Sequence, residues 1–467
     1  MTSTVTLPVW LLILILLFAA VTASTHLLFP SVRWFFRRRA ERLVAKLNAR
    51  LDRPIQPFKL LRRNDMIQRV IYDADVVREV NAYADSQGVR EDVAFEKASD
   101  YAREIVPSFS ATAYFGIATR VSRMVARWLF DVRVNYLDEE ALSKISKDAT
   151  VVYVINHRSN FDYVLVTYLA AKQSALSYAV GEWARVWPVS WFIRATGAYF
   201  IRRRTPTPLY RKVLSSYVQR ATEAGVSQAV FPEGGLSRNG VVGPPKLGIL
   251  SYVVDGWRDG KGRDTVFVPV SLNYDRIVED KVLIAAGRTG KQRFRRSISE
   301  GLQFGARYAW RRLRGKVGRF GVAAVTFGRP MSISELAEGN PPDLVQTLGA
   351  HLLEDTRAFT PVTTTPLAMA AMFQVAAPVS KEVLLSEMAR LKADFPQQAV
   401  DATDRDDAFD RALSEMVMRD LLVEENGTYA LKDEELAAFY ANTLRPHLGE
   451  LPVGAIPKPV VSELVKT

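Results

Sequence analysis

Apolar and polar positions follow three different patterns along this chain. From Leu7 to Phe29, no Asp, Glu, Lys or Arg interrupts a strongly apolar stretch. Between residues 65 and 130, apolar residues recur at spacings of three and four, which predicts helices over 65–107 and 110–130. From Val151 onward, short β-branched runs alternate with longer amphipathic stretches. This alternation predicts an α/β fold with a mixed sheet flanked by helices.

One strand-to-helix turn combines this pattern with reactive side chains. The apolar run Val151–Ile155 predicts a buried strand, and a helix is predicted to begin near Tyr163. His157 lies between the two, so the pattern places it at the carboxyl end of a strand. Ligands of open α/β sheets bind at these strand ends.

His157 and Asp162 have the spacing that a turn needs to bring them together. Asp162 could then hold one imidazole nitrogen and leave the other free as a base. The chain has no cysteine, and no serine motif lies nearby, so a substrate hydroxyl is the expected proton donor. The alternative is a histidine satisfied at a strand end, with Asp162 acting only as a helix cap.

Two further predicted strands end in charged residues. The strand Tyr199–Ile201 runs into Arg202 and Arg203, and the strand Gln228–Phe231 runs into Glu233. Guanidinium groups bind phosphate through paired hydrogen bonds, although an arginine run can also be a solvated surface. Charges that converge at strand ends from distant parts of the sequence form a site more readily than scattered charges do.

Composition narrows the chemistry further. The 467 residues carry a net charge of +12 and include only four histidines. No metal site and no cofactor are therefore expected. A basic protein can meet nucleic acid, an anionic membrane or an acidic protein. The segment from Lys291 to Arg319 is the most basic, with Glu300 as its one acidic residue.

Four blocks in order resemble the glycerol-3-phosphate acyltransferase family. They are His157–Asp162, Gly197–Arg203, Phe231–Arg238 and Val266–Val270. The resemblance covers roughly Val151–Asp275. A single His-x4-Asp pattern is weak, whereas four blocks in the family's order are specific.

The resemblance implies a reaction and a set of site residues. His157, assisted by Asp162, would deprotonate the sn-1 hydroxyl of glycerol 3-phosphate, which then attacks an acyl thioester of coenzyme A or acyl carrier protein. It implies substrate-binding roles for Arg202, Arg203, Glu233, Gly234, Ser237, Arg238 and Lys246. At Leu236 the chain departs from the family pattern, which often has arginine there. Phosphate binding is therefore expected to depend more on Arg238.

The apolar amino terminus predicts a single transmembrane helix. Trp10 and Trp34 lie near its two ends, and Arg33 opens a basic segment after it. The positive-inside rule then places the catalytic part in the cytoplasm, at a bacterial inner membrane, with membrane lipids as partners. A cleaved signal peptide and a monotopic insertion are the alternatives.

These patterns predict four regions. They are an anchor over 1–32, a juxtamembrane and helical part over 33–130, an acyltransferase domain over 131–330, and a mainly helical domain with a hairpin over 331–467. The carboxyl-terminal region is not notably basic, so no nucleic acid is expected as a partner. A lysophosphatidate acyltransferase and a non-catalytic, membrane-tethered lipid-binding module are the rival functions.

Overall fold

The computed structural model describes residues 8–170, 174–181, 189–202, 206–259, 263–289, 308, 310, 314, 318–394 and 406–449, with the side chains of 20–37, 40, 170, 189, 259, 289 and 406–408 left out. The chain divides into two units, residues 1–55 with 172–174, and the remainder. The first unit contains the helix α1, Val9–Asn48. Its carboxyl end is followed by a turn in which the Ile55 N–H donates to Asn48 Oδ1 at 2.9 Å.

The predicted transmembrane anchor is wrong. In the described part of the chain, no helix is both long enough and apolar enough to cross a bilayer. The aliphatic run ends at Val21, and Thr22, Ser24, Thr25 and His26 follow it. It therefore falls short of the roughly 20 apolar residues that a span requires. The localisation inferred from a single amino-terminal span is therefore wrong as well.

The second unit begins with a run of helices that contribute to the cores on both faces of its sheet. They are α2 Pro57–Leu60, α3 Arg63–Ile71, α4 Ala74–Gln87, α5 Glu91–Ile105, a π-helical segment Thr112–Ala118 and α6 Thr119–Leu129. The apolar faces of α3, α4 and α5 are buried in a common core. Gly88 ends α4 with a φ of 63°, a left-handed conformation that glycine adopts without strain.

A mixed sheet forms the centre of this unit. Its strands are β1 Asp131–Tyr136, β2 Thr150–Ile155, β3 Ser177–Gly181, β4 Tyr199–Ile201, β5 Gln228–Val230, β6 Thr265–Tyr274, β7 Val322–Phe327 and β8 Met331–Ser332. The order is β1-β7-β6-β2-β5-β3-β4, with β8 beside β6. The β6–β7 and β6–β8 pairs are antiparallel and the other pairs are parallel.

The strand β2 is buried on both faces, which explains its unbroken apolar sequence. Val151, Tyr153 and Ile155 contribute to one core, and Val152 and Val154 contribute to the other. Its neighbours β5 and β6 run parallel to it, so the carboxyl ends of all three strands lie at one edge. The predicted mixed α/β sheet is confirmed.

Helices cover both faces of the sheet. Between the strands lie α7 Glu139–Lys144, α8 Asp162–Ala170, α9 Val189–Ala195, α10 Pro208–Glu223, α11 Gly248–Asp259 and α12 Asp280–Thr289. The Thr207 side chain caps α10 by accepting from the Tyr210 N–H, and Pro208 occupies the first turn. Helix α8 packs against α6, so the helix that begins with Asp162 is held from outside the sheet.

The remaining residues add helices and a small second sheet. The helices are α13 Ile333–Glu338, α14 Leu344–Ala358, α15 Thr364–Met372, α16 Lys381–Ala393, α17 Asp406–Met418, α18 Glu434–Ala441 and α19 Arg445–Leu448, with a 3-10 turn at Asn442–Leu444. The small sheet contains β9 Val379–Ser380, β10 Leu422–Glu425 and β11 Thr428–Leu431. Asn426 and Gly427 both have positive φ in the β10–β11 hairpin, as its two-residue turn requires. The predicted division at 32/33, 130/131 and 330/331 stays a prediction.

Candidate active site

His157 and Asp162 are in direct contact at the carboxyl end of β2. His157 Nδ1 lies 2.9 Å from Asp162 Oδ2, and both side chains are buried, with exposed fractions of 2% and 0%. Because the carboxylate accepts from Nδ1–H, the neutral imidazole carries its lone pair on Nε2. Nε2 has no hydrogen-bond partner among the described residues. This is the arrangement of a base whose second nitrogen is fixed by a carboxylate.

The Asp162 carboxylate is held by more than the histidine. Its Oδ2 also accepts from the backbone N–H groups of Arg158 at 2.7 Å and Ser159 at 3.0 Å. Its Oδ1 accepts from Tyr274 Oη at 2.6 Å. Four donors around one buried carboxylate fix its position. The Asp162 carboxylate that orients His157 is therefore held in place by its own hydrogen bonds.

Tyr274 reaches this site from the end of β6. Burial, and then the Asp162 carboxylate beside it, raise the pKa of the Tyr274 phenol, so this group keeps its proton and acts as a donor. Its ring packs against Phe130 and Phe161, with ring centroids 5.5 and 6.4 Å apart. The phenol is therefore fixed at both its apolar ring and its polar tip.

Aromatic rings enclose the His157 imidazole. The Phe231 ring centroid lies 4.5 Å from that of His157, and the Tyr163 centroid lies 5.4 Å away, edge on. Phe231 follows β5 and Tyr163 belongs to α8. The ring is thus held by contacts from both flanking elements, which limits its rotation and excludes water from its faces.

Glu233 binds backbone groups on two sides of the site. Its Oε1 accepts from the His157 N–H at 2.8 Å, and its Oε2 accepts from the Gly243 N–H at 3.0 Å. Burial raises the pKa of the Glu233 carboxyl, while the nearby Arg158 charge opposes that rise. The structure therefore gives Glu233 a positioning contact with the histidine backbone.

Arg158 follows the histidine and is almost fully buried. Its exposed fraction is 1%, and its Nη1 donates to the carbonyl oxygen of Gly240. Its Nε and Nη2 have no hydrogen-bond partner among the described residues. Burial lowers the pKa of Arg158, and the carboxylates of Glu233 and Asp162 counteract this effect. A buried guanidinium between two carboxylates compensates their charge and ties the 237–243 loop to the histidine turn.

Three further site residues from the sequence lie on the loop after β5. The Ser237 N–H donates to the His157 carbonyl oxygen at 3.0 Å, and its hydroxyl donates to Val241. Gly234 has a φ of 65°, and a Cβ there would lie 2.8 Å from Lys246 Cδ. The structure therefore brings Gly234, Ser237 and Lys246 into one contact network with His157, Asp162 and Glu233.

The three arginines predicted for the site differ in their surroundings. Arg238 Nη1 donates to the Ala286 carbonyl at 3.4 Å, against α12. Arg202 lies beyond β4 and pairs with the Glu104 carboxylate, Nη2 to Oε2 at 2.6 Å. Arg203 lies outside the described residues. Strand β4 is three positions from β2 in the sheet, roughly 14 Å by strand spacing, so the strand-end pattern did not bring Arg202 into contact with His157.

Sequence reasoning missed Tyr274, Arg158 and Glu279. Glu279 accepts from Ser159 Oγ at 2.8 Å and from the Asn160 N–H at 3.0 Å, which holds the turn between His157 and Asp162. Only the position of Arg158 inside the His-x4-Asp block offered a signal. Tyr274 and Glu279 are more than a hundred residues further along the chain, and their proximity depends on β6 lying beside β2.

Comparison with known proteins identifies the class of this fold and site. The family model described as "Acyltransferase" matches residues 133–273. This segment runs from within β1 to near the end of β6, and it contains His157, Asp162 and the loop that carries Glu233. The chain thus contains an acyltransferase domain.

Curated proteins also match this chain. A glycerol-3-phosphate acyltransferase of Shewanella woodyi is 28% identical over 353 residues, covering 73% of this chain and 42% of the relative. That of Pseudomonas fluorescens is 27% identical over 289 residues, covering 60% and 33%. These relatives are named for the same activity as the family that the four sequence blocks resemble. The chain spans less than half the length of these curated relatives.

A solved structure also matches. It is the 1-acyl-sn-glycerophosphate (LPA) acyltransferase from Thermotoga maritima, 19% identical, with a TM-score of 0.33, covering 52% of this chain and 77% of that one.

Proposed function

We propose that this protein transfers a fatty acyl group from an acyl thioester to the sn-1 hydroxyl of glycerol 3-phosphate. The observation that carries the proposal is the buried contact between His157 Nδ1 and Asp162 Oδ2, with Nε2 unpartnered among the described residues. The curated relatives support the choice of acceptor, since they are named glycerol-3-phosphate acyltransferases.

The reaction follows from the tautomer that Asp162 fixes. His157 Nε2 takes the proton of the acceptor hydroxyl while the hydroxyl oxygen bonds to the thioester carbonyl carbon. The tetrahedral intermediate then breaks its carbon–sulfur bond, and the imidazolium returns the proton to the leaving thiolate. The products are an acyl ester and a free thiol. No acyl-enzyme is required, because the base activates the substrate hydroxyl directly.

The other polar residues fall into supporting and substrate-binding roles. Glu233 and Ser237 position the His157 backbone, and Lys246, over Gly234, supplies a cation for the acceptor phosphate. Arg238, and Arg202 and Arg203 by family resemblance, complete the phosphate-binding set. Because Glu104 holds the Arg202 guanidinium, a phosphate bound there would have to compete with that carboxylate.

A thiol-release assay with acyl-coenzyme A and glycerol 3-phosphate tests the proposal. We expect His157→Ala to lower kcat by roughly 10²–10⁴-fold, the usual contribution of a general base. His351→Ala is the matched control, because His351 is an exposed histidine in α14, a helix that carries no proposed site residue. Full activity in His157→Ala would refute the mechanism. Turnover with lysophosphatidate but not with glycerol 3-phosphate would refute the proposed acceptor.

A further inference from the structure

An arginine-rich cavity lies at the junction of β1, β7 and the carboxyl-terminal helices. It encloses about 990 Å³, a volume in the upper range of small-molecule sites. Five guanidinium groups line it, and they come from separate segments: Arg133, Arg276, Arg319, Arg411 and Arg419. The cavity lining does not include His157, so this is a second concave surface besides the proposed catalytic site.

Positive charge predominates among the ionisable groups of this cavity. Its lining contains three carboxylates, those of Asp131, Asp275 and Glu415. Asp131 pairs with Arg133 at 2.7 Å, and Glu415 lies 3.9 Å from Arg276. Both oxygens of Asp275 accept from backbone N–H groups, those of Val322 and Thr365. The carboxylates of the lining are thus occupied. Arg419 pairs with Asp280, which lies outside the lining, at 3.1 Å, so the surplus positive charge of the cavity lies on Arg319 and Arg411.

Two of the five arginines have no partner within the described structure. Arg319 and Arg411 make no hydrogen bond and no ion pair with any described residue, and both side chains are exposed at the cavity. Arg276 stacks on the Phe320 ring, with 4.3 Å from Cζ to the ring centroid. Burial, and next the charge of Arg419, lower the pKa of Arg276. A cleft with a surplus of positive charge attracts anions, because its low-dielectric walls focus the electric field.

The cavity opens at the same edge of the sheet as His157. Strand β7 is antiparallel to β6, so its amino-terminal residue Val322 lies beside the carboxyl end of β6. Asp275, which lines the cavity, directly follows Tyr274, whose hydroxyl binds Asp162. The ends of β7 and β1 are two and three strand positions from β2, and β6 extends four residues beyond Val270, which pairs with the last residue of β2. Strand spacing and rise together give roughly 16–20 Å between these ends and the end of β2.

We propose that this cavity binds the phosphate groups of the nucleotide end of a coenzyme A-type acyl donor. The inference rests on the proposed acyl transfer and names the donor class for it. Such a donor carries several phosphates on an adenosine nucleotide, joined by a flexible arm to the thioester. With the nucleotide in the cavity, the arm runs along the edge of the sheet and delivers the thioester to His157.

The size and charge of the cavity favour a nucleotide over the acceptor. Glycerol 3-phosphate has one phosphate, which two guanidinium groups can satisfy through paired hydrogen bonds. Arg319 and Arg411 supply one such pair, from the residues before β7 and from α17. The cavity volume of about 990 Å³ is several times larger than glycerol 3-phosphate and leaves room beside this pair for a nucleotide. The cavity is a concave, partly open surface, and this shape favours a small molecule over the convex surface of a carrier protein.

The test compares two donors with the same acyl chain. Acyl-coenzyme A carries the nucleotide, whereas acyl-pantetheine has the same thioester without nucleotide or phosphate. For the double variant Arg319→Ala/Arg411→Ala, we expect KM for acyl-coenzyme A to rise roughly tenfold or more, as the loss of charged hydrogen bonds implies. We expect KM for acyl-pantetheine and for glycerol 3-phosphate to stay unchanged. An equal rise for both donors, no rise for acyl-coenzyme A, or a rise for glycerol 3-phosphate would overturn the proposal.

A matched control removes two arginines elsewhere. Arg90 and Arg390 are exposed and form surface ion pairs with Asp92 and Glu387, so Arg90→Ala/Arg390→Ala changes the net charge equally. We expect the control to leave every KM unchanged. A rise in KM for acyl-coenzyme A equal to that of the cavity variant would show a general charge effect and overturn the assignment.

Calorimetric titration with coenzyme A separates this inference from the proposed reaction, because it requires no turnover. Loss of wild-type binding in the cavity variant would support the site even if glycerol 3-phosphate were not acylated. An absence of binding to the wild type would overturn the proposal. Adenosine 3′,5′-bisphosphate should inhibit competitively with acyl-coenzyme A. Inhibition that does not compete with the donor would instead indicate an effector site for free nucleotides and overturn the donor assignment.

Discussion

At the scale of single residues, several hydrogen bonds hold the imidazole and the backbone of His157 in one position. Asp162 fixes the tautomer of His157, Glu233 holds its backbone N–H, and Ser237 holds its carbonyl oxygen. These contacts come from two separate segments of the chain, the start of α8 and the loop after β5. Because each holds a different atom of the histidine, losing one contact should weaken catalysis without unfolding the protein.

Tyr274→Phe tests this directly. The change removes the 2.6 Å hydrogen bond to Asp162 Oδ1 but keeps the ring that packs on Phe130 and Phe161. Since a hydrogen bond to a charged group contributes about 1.5–3 kcal/mol, we expect kcat to fall roughly tenfold or more, with KM for glycerol 3-phosphate nearly unchanged. Steady-state kinetics measures both values.

Tyr136→Phe is the control for this change. Tyr136 lies in β1, stacked on Phe327 and 39% exposed, so its hydroxyl is not part of the site. If Tyr274→Phe retained full kcat, the phenol would have no part in orienting Asp162. If it lost its circular dichroism signal, its effect would be on folding instead.

At the scale of elements, the order of strands decides which side chains meet. The His-x4-Asp pair was predictable because both residues lie in one strand-to-helix turn. Tyr274 was not predictable, because nothing in the local sequence shows that β6 pairs with β2. The same limit explains Arg202. A strand end marks the correct edge of the sheet, but the sideways distance depends on the strand order, and β4 is three positions away.

The amino-terminal prediction failed for a different reason. The prediction rests on the absence of charged residues over Leu7–Phe29, on the aliphatic run Val9–Val21 counted together with its flanks, and on Trp10 and Trp34 near the two ends. Polar residues from Thr22 onward shorten the truly aliphatic part, and no described helix meets the length and apolar character of a span. The absence of charge is thus a weaker criterion than the length of continuous apolar sequence.

One element contact links the site loop to the carboxyl-terminal helices. Gly240 has a φ of 82°, and a Cβ there would lie 2.0 Å from the carbonyl oxygen of Phe439 in α18. Asn442 Nδ2 donates to the Asn239 carbonyl at 3.0 Å, next to this contact. The loop that carries Ser237 and Arg238 is therefore supported from outside the segment that matches the family model.

Gly240→Ala should be severely destabilising. We expect a loss of roughly 3 kcal/mol or more in the free energy of unfolding, since left-handed strain is combined with a backbone clash. Gly88→Ala is the matched control, because Gly88 has a φ of 63° and open space around its Cβ position, and strain alone should cost about 1 kcal/mol. Denaturant titration measures both. Equal losses in the two variants would show that the α18 contact is not tight.

At the scale of the whole molecule, a buried lysine couples stability to pH. Lys59 in α2 donates from Nζ to the Ala175 carbonyl at 2.7 Å and lies 4.7 Å from the Phe109 ring centroid. Its exposed fraction is 6%, and no described carboxylate pairs with it. Burial lowers the Lys59 pKa well below its ordinary value of 10.5. The native state therefore favours the neutral amine.

The sign of the resulting pH dependence follows from proton counting. Between the native pKa of Lys59 and 10.5, the unfolded chain binds a proton that the folded chain does not. Stability therefore rises with pH across this window, with a limiting slope of about 1.4 kcal/mol per pH unit. Lys59→Met fills a similar volume and removes the titrating group, so it should remove this slope.

We expect the free energy of unfolding of the wild type, relative to Lys59→Met, to increase from pH 7 to pH 9.5. Denaturant titration at several pH values measures this difference. Lys97→Met, at an exposed lysine in α5, should run parallel to the wild type. Because the comparison uses a difference between variants, other titrating groups cancel. If the Lys59→Met and wild-type curves were parallel as well, the Lys59 amine would be charged in the folded protein. Solvent would then have to reach this amine in spite of its buried position.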